Sequence, residues 1–163
     1  MKKILLFALS LVFLSTVFSC SSSVMKNISS EDFDRLFEIV KTAGADEIMS
    51  RQINKDESYR VFIDETEYLN LVDKAEAVYE SYGNEGYEAL LVFARTKKQE
   101  QVFDLLTKRY EWAPCDPAEK IVFAKEGCVI LAVKGSRENT EKVYNAFCAF
   151  FGNKKCKTVS KER

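Results

Sequence analysis

Histidine is absent from all 163 residues. That absence removes the Ser-His-Asp and Cys-His routes to an activated nucleophile. It also removes the usual imidazole acid–base group and the commonest transition-metal ligand. Chemistry in this chain falls to carboxylates, lysine, tyrosine or cysteine. Proline is scarce, at two residues, and tryptophan occurs once, as Trp112. No pair of cysteines has the C-x-x-C spacing of a redox site or zinc knuckle, and no D-x-[DN]-x-[DN]-G calcium loop occurs. An excess of positive charge is missing too: 24 basic residues face 25 acidic ones. Phosphate backbones attract strongly basic surfaces, so nucleic acid is not an expected partner.

What is present is concentrated at the start. Met1-Lys2-Lys3 precedes an apolar stretch from Ile4 to Phe18, then Ser19-Cys20 and three serines. A basic head, a short apolar run and a small residue read as an export signal. The run falls short of the roughly 20 residues a spanning helix needs. Val17-Phe18-Ser19-Cys20 resembles a lipobox, with a branched apolar residue three before the cysteine and a small one just before it. Phe18 stands where a small residue is usual. The resemblance implies a bacterial lipoprotein: cleavage after residue 19, diacylglycerol and palmitate on Cys20, and a domain facing outside the cytoplasm. Two alternatives stay open. Ordinary signal cleavage after Ser19 leaves Cys20 as a secreted thiol, and an uncleaved leader remains as an anchor. Residues 20–29, serine-rich and without periodicity, form the expected tether.

Without the leader, about 140 residues remain, one domain's worth of chain. Loss of Lys2 and Lys3 leaves 22 basic residues against 25 acidic, a net of −3. Four cysteines follow Cys20: Cys115, Cys128, Cys148 and Cys156. An even number in an exported chain suggests one or two disulfides. Cys148 with Cys156 and Cys115 with Cys156 are both compatible, and so are buried thiols acting as small apolar residues.

Ser29-Ser30-Glu31-Asp32 marks a helix start, with acids at its positive end. Phe33, Leu36, Phe37 and Val40 follow at helical spacing, and Gly44 ends the run. Residues 45–52 read as a further turn or two, 54–58 as a loop and 59–63 as an edge strand. Asp64 and Glu67 have the spacing of a capping box. A helix over 64–81 is expected, with Tyr68, Leu71, Val72, Ala75, Val78 and Tyr79 on one face. Residues 83–86 break it. The unbroken apolar run 89–94 suits a strand covered on both faces. A helix over 99–111 follows, then a turn holding Pro114 and Pro117. Residues 121–124 and 128–133 flank Lys125-Glu126-Gly127 as a hairpin. A helix over 138–151 ends at Gly152, and 153–163 reads as a charged, frayed tail.

The fold class is therefore α+β: a small mixed or antiparallel sheet packed with helices, within a single domain over residues 30–152. The order strand–helix–hairpin–helix predicts a split β-α-β with some ferredoxin-like character, in which 128–133 lies between 89–94 and 121–124. The strand 89–94, the helix ending Leu106-Thr107-Lys108-Arg109-Tyr110, the Pro114–Pro117 connection and the Lys125-Glu126-Gly127 hairpin together resemble a family of small bacterial lipoproteins of unknown function. The resemblance covers residues 88–151. It implies export and the α+β class and no catalytic residue.

Among chemical candidates, Glu85, Glu88, Asp116 and Glu119 sit where carboxylates can converge, as a glycoside hydrolase requires. Asp64, Glu65 and Glu67 suggest calcium less well than helix initiation. Cys115, between two prolines, has Asp116 beside it, which opposes a reactive thiolate. Tyr110 and Trp112 fit an aromatic patch or a cover for the sheet edge. Phe147, Phe150 and Phe151 fit core or a self-association surface. The leading expectation is a lipid-anchored, non-enzymatic interaction module of the cell envelope, without cofactor or metal, whose partner is an envelope protein or cell-wall component. A small envelope hydrolase with paired carboxylates is the alternative, and solute capture in a small single pocket is a third.

Overall fold

Ser29 starts the first helix. Its hydroxyl accepts a hydrogen bond from the Asp32 amide at 3.1 Å, while the Asp32 carboxylate accepts one from the Ser29 amide at 3.4 Å. This reciprocal cap satisfies two amides that a helix start leaves unpaired. The computed structural model describes residues 28–44, 48–80, 86–152 and 156–163. The expected leader 1–19, Cys20, most of the tether and Glu85 lie outside the described residues.

Helix α1 spans Ser30–Ala43 and stops at Gly44. Strand β1 (Ile48–Gln52), a 3₁₀ helix (Lys55–Val61) and the short helix α2 (Glu65–Leu71) follow. Strands β2 (Val72–Glu80) and β3 (Glu88–Ala94) precede helix α3 (Gln99–Arg109). Strands β4 (Lys120–Glu126) and β5 (Val129–Gly135), helix α4 (Arg137–Phe150) and strand β6 (Lys157–Glu162) complete the chain. The six strands form one sheet in the order β1-β2-β3-β5-β4-β6, and every neighbouring pair is antiparallel. The α+β class holds, and so does the split β-α-β: β3 and β4, joined through α3, run parallel with β5 between them. Gly127, at φ 58°, makes the tight β4–β5 turn without the penalty a Cβ carries there.

Helices cover both faces of the sheet, and strand alternation divides the core in two. Leu90, Val92, Ile121, Phe123, Ile130 and Ala132 face α2, α3 and the 3₁₀ helix. Ala89, Leu91, Val122, Ala124, Leu131 and Val133 face α1 and α4. This explains the unbroken apolar runs in β3 and β5: neither side of these strands meets water.

Five expectations are corrected. Helix α2 ends at Leu71, and 72–80 is strand rather than helix. Cross-strand pairing with β1 and β3 overrides the helical spacing of its apolar residues, and a bulge between Val72 and Lys74 shifts the strand's alternation. Asp64 takes the N-cap position of α2 but makes no side-chain capping bond. The expected edge strand 59–63 is instead the end of the 3₁₀ helix, to Val61, and a turn at Phe62 in the left-handed region at φ 58°; the edge is β1, within 45–52, where helical turns are expected. The segment 157–162 is not frayed: it pairs with β4 along its whole length. Its alternation is hidden because lysine, not an apolar residue, lies over the rings it covers. Lys157 lies 4.9 Å from the Phe103 ring centre and Lys161 5.5 Å from that of Phe123.

Candidate functional site

Two polar places stand out. The first lies at one end of the central strands. The register sets Glu88 directly opposite Lys134, and the connection before β4 brings Asp116 to the same ammonium. Lys134 Nζ donates to Asp116 Oδ2 at 2.9 Å and sits 3.3 Å from Glu88 Oε2 and 5.7 Å from the centre of the Tyr110 ring. Asp116 Oδ1 accepts from the Ala118 amide at 3.0 Å. Gly86 gives this carboxylate room: a Cβ there would lie 2.5 Å from Asp116 Oδ1. The Arg163 guanidinium donates to the Asp116 carbonyl and lies 5.3 Å from the Trp112 ring centre. Trp112 thus covers the core of one sheet face rather than presenting a free aromatic patch.

Electrostatics define what this cluster does. Burial pushes the Asp116 carboxyl up, but the hydrogen bonds from Lys134 and the Ala118 amide outweigh it, so the group is held below its ordinary value. Burial lowers the Lys134 ammonium, and Asp116 and Glu88 more than reverse that. Both ions stay charged at neutral pH. Burial and the neighbouring Glu88 push the Tyr110 phenol well above its ordinary value. Two of the four candidate carboxylates, Glu88 and Asp116, are therefore brought together, yet on a shared cation. Glu119 is exposed and accepts from the Arg137 amide at the start of α4. Glycoside hydrolysis needs one carboxyl with a raised pKa, and Asp116 is shifted the other way. The arrangement ties β3, β5, the 110–119 connection and the C-terminal residue together.

The second place is an open depression of about 440 Å³ between the 3₁₀ helix and α3, lined by Asp56, Tyr59, Phe62, Asp64, Glu65 and Arg109 among others. Its floor is built by an unusual turn. Phe62 holds a left-handed conformation that bulky side chains rarely adopt. Its amide donates back to the Ser58 and Tyr59 carbonyls. Its carbonyl accepts from Arg109 Nη1 at 2.7 Å, and its ring packs edge-on against Tyr110 at 5.2 Å. Tyr59 is left 63% exposed, with the Arg60 guanidinium 5.3 Å from its ring centre. Glu65 binds Lys55 at 2.8 Å, so this acid forms an ion pair at the rim. The depression offers an aromatic face, carboxylates and a guanidinium in one shallow surface. That suits docking of a mixed polar and apolar group better than enclosure of a substrate.

Among the described residues, no group of three or more cysteine and acidic side chains is placed to hold a metal ion. No described helix is long and apolar enough to cross a membrane. Of the cysteines, Cys115 is exposed, Cys128 is half-buried with its thiol pushed up by burial, and Cys148 and Cys156 lie side by side. Phe147 is fully buried, and Phe150 and Phe151 pack against the same cluster from partly buried positions.

Sequence reasoning missed Lys134, Arg109 and Phe62. A cross-strand signal existed for Lys134: once the β3–β5 register is known, Glu88 falls opposite it. Nothing in the local sequence marks Phe62, because its conformation is imposed by the Arg109 bond and the Tyr110 ring. No protein-family model matches the chain, and neither a curated protein nor a solved structure matches it.

Proposed function

We propose that this chain is a lipid-anchored interaction module of the bacterial envelope, a small lipoprotein that acts without catalysis. Cys20 carries the acyl anchor, residues 20–29 form the leash, and the α+β domain presents a docking surface to an envelope protein or cell-wall component. The observation that carries this reading is the position of Cys20, directly after the apolar run 4–18 and before Ser21 to Ser23. Acyl chains contribute about 0.8 kcal/mol per buried methylene, so two or three chains on one cysteine hold a globule to a bilayer. The open depression beside Tyr59 supports the docking half of the reading.

Metabolic labelling with palmitate tests the anchor: the wild-type chain takes up label and Cys20→Ala does not. An unlabelled wild type overturns it. Pull-down from envelope extracts tests the docking surface, with Tyr59→Ala as the comparison. Partners recovered with the wild type and reduced with the variant support the reading, and recovery of nothing above background counts against it. The convergence of Glu88 and Asp116 is the one observation favouring a carboxylate hydrolase. Turnover of cell-wall glycan that disappears in Asp116→Asn and Glu88→Gln, with folding intact, would put that reading first.

A further inference from the structure

Cys148 lies in the last turn of α4 and Cys156 immediately before β6. Their sulfurs stand 3.6 Å apart. A disulfide requires about 2.05 Å, so the two sulfurs must approach by about 1.5 Å. The pairing of Cys115 with Cys156 is separated by the fold. Residue 157 is registered against Lys125, at the hairpin end of β4, while the neighbour of Cys115, Asp116, is bound by Arg163 beyond the far end of β6. The length of β6, about 20 Å at 3.3 Å per residue, lies between Cys115 and Cys156. Cys128 sits in the hairpin turn, where its thiol feels Asp73 and Lys125, and Cys156 belongs to the core on the α1–α4 face.

We propose that Cys148 and Cys156 are a disulfide-forming pair that fastens β6 to α4, with a small-molecule or protein disulfide as oxidant. This inference goes beyond the envelope reading and does not depend on the lipid anchor. Cys148 is the more accessible sulfur and Cys156 is buried, which sets the order of events. The Cys148 thiolate attacks the oxidant's disulfide, forming a mixed disulfide and releasing one thiolate. The Cys156 thiolate then attacks the Cys148 sulfur, forming the internal bond and releasing the second. Two protein thiols are oxidised, one disulfide is reduced to two thiols, and the two protein protons end on the released thiolates or in solvent. Burial and the neighbouring Cys148 hold the Cys156 thiol up at about 12, so the second step quickens as pH rises. The product fixes the start of the strand that covers β4.

The test equilibrates the purified full chain with reduced and oxidised glutathione across a range of ratios, followed by alkylation, trypsin digestion and mass spectrometry. Oxidising ratios should give a chain lacking two hydrogens and two alkylation adducts, with residues 143–154 joined to residues 156–157. Cys115 and Cys128 should remain alkylated. Cys148→Ser should abolish the linked peptide. Full alkylation of Cys148 and Cys156 at every ratio overturns the proposal, as does a predominant linkage of either one to Cys20, Cys115 or Cys128. Because the wild type is compared with itself in two redox states, the result does not depend on a variant's ability to fold.

Discussion

The two faces of the sheet are covered in different ways. On one, α1 and α4, fourteen residues each, pack against each other and onto β3, β4 and β5. Both are capped by serine side chains, Ser29 and Ser136. On the other face the cover consists of short pieces: a 3₁₀ helix, the seven-residue α2 and the eleven-residue α3. Short helices are marginal by themselves, and here tertiary bonds hold them. The Tyr68 hydroxyl donates to the Ile53 carbonyl at 2.7 Å, Arg109 donates to the Phe62 carbonyl, and Lys161 Nζ donates to the Tyr110 carbonyl at 3.2 Å. A face sealed by two long helices is closed by its own regularity. A face assembled from fragments leaves gaps, and the depression beside Tyr59 is one of them.

The largest effects test whether the two cores matter equally. Phe147→Ala on the helix-pair face and Phe123→Ala on the fragment face each remove a fully buried ring. Each should lower unfolding free energy by about 3–5 kcal/mol in urea titration. A loss below about 1 kcal/mol for either one would break the picture of two full cores. Next comes the tie at the end of β5. Lys134→Ala leaves Asp116, whose side chain is only 5% exposed, without its cation, and should cost about 2–4 kcal/mol.

The same tie has a pH signature. The folded Asp116 carboxyl titrates below its unfolded value of 3.8. Its contribution is therefore complete above that value and is lost as pH falls through the folded one. Lys134, raised above 10.5, contributes fully below that value and loses its contribution as pH rises through the folded one. Urea midpoints across pH should show the acid limb shrink in Asp116→Asn. An unchanged limb would show that other carboxylates govern acid unfolding.

Smaller effects separate the two styles of cover. Ser29→Ala removes the reciprocal cap of α1 and should cost about 1 kcal/mol. A loss near zero would show that packing alone fixes that helix. Glu100 lies over Lys125 and Lys157, whose hydrogen bonds lower its carboxyl to about 2. Its side chain is 60% exposed, so water and salt screen the pair, and Glu100→Gln should change stability by less than about 1 kcal/mol.

The segment 88–151 was legible because local signals and tertiary structure agree there. Two apolar runs, a glycine turn and a capped helix specify β3, the β4–β5 hairpin and α4 without reference to distant residues. The segment 53–80 was not, because its local and tertiary preferences conflict. Ala75, Val78 and Tyr79 suit a helical stripe, yet β1 and β3 supply the hydrogen bonds that make 72–80 a strand. Strand β6 escaped detection because lysines, not apolar residues, lie over the rings beneath it. Among the candidate site residues, Glu88 and Asp116 were found by residue type, while the cation that unites them lies 18 residues beyond Asp116. The depression was invisible, since its shape depends on one left-handed phenylalanine held by an arginine 47 residues away.

The strand order decides which edges depend on which segments. The margins of the sheet are occupied by its earliest and latest strands, β1 and β6, while its middle is β3 and β5. One backbone edge of β4 is covered only by the lysine-studded segment 157–162. A sheet without this segment would keep one open side, and the strand that closes it follows directly on a thiol.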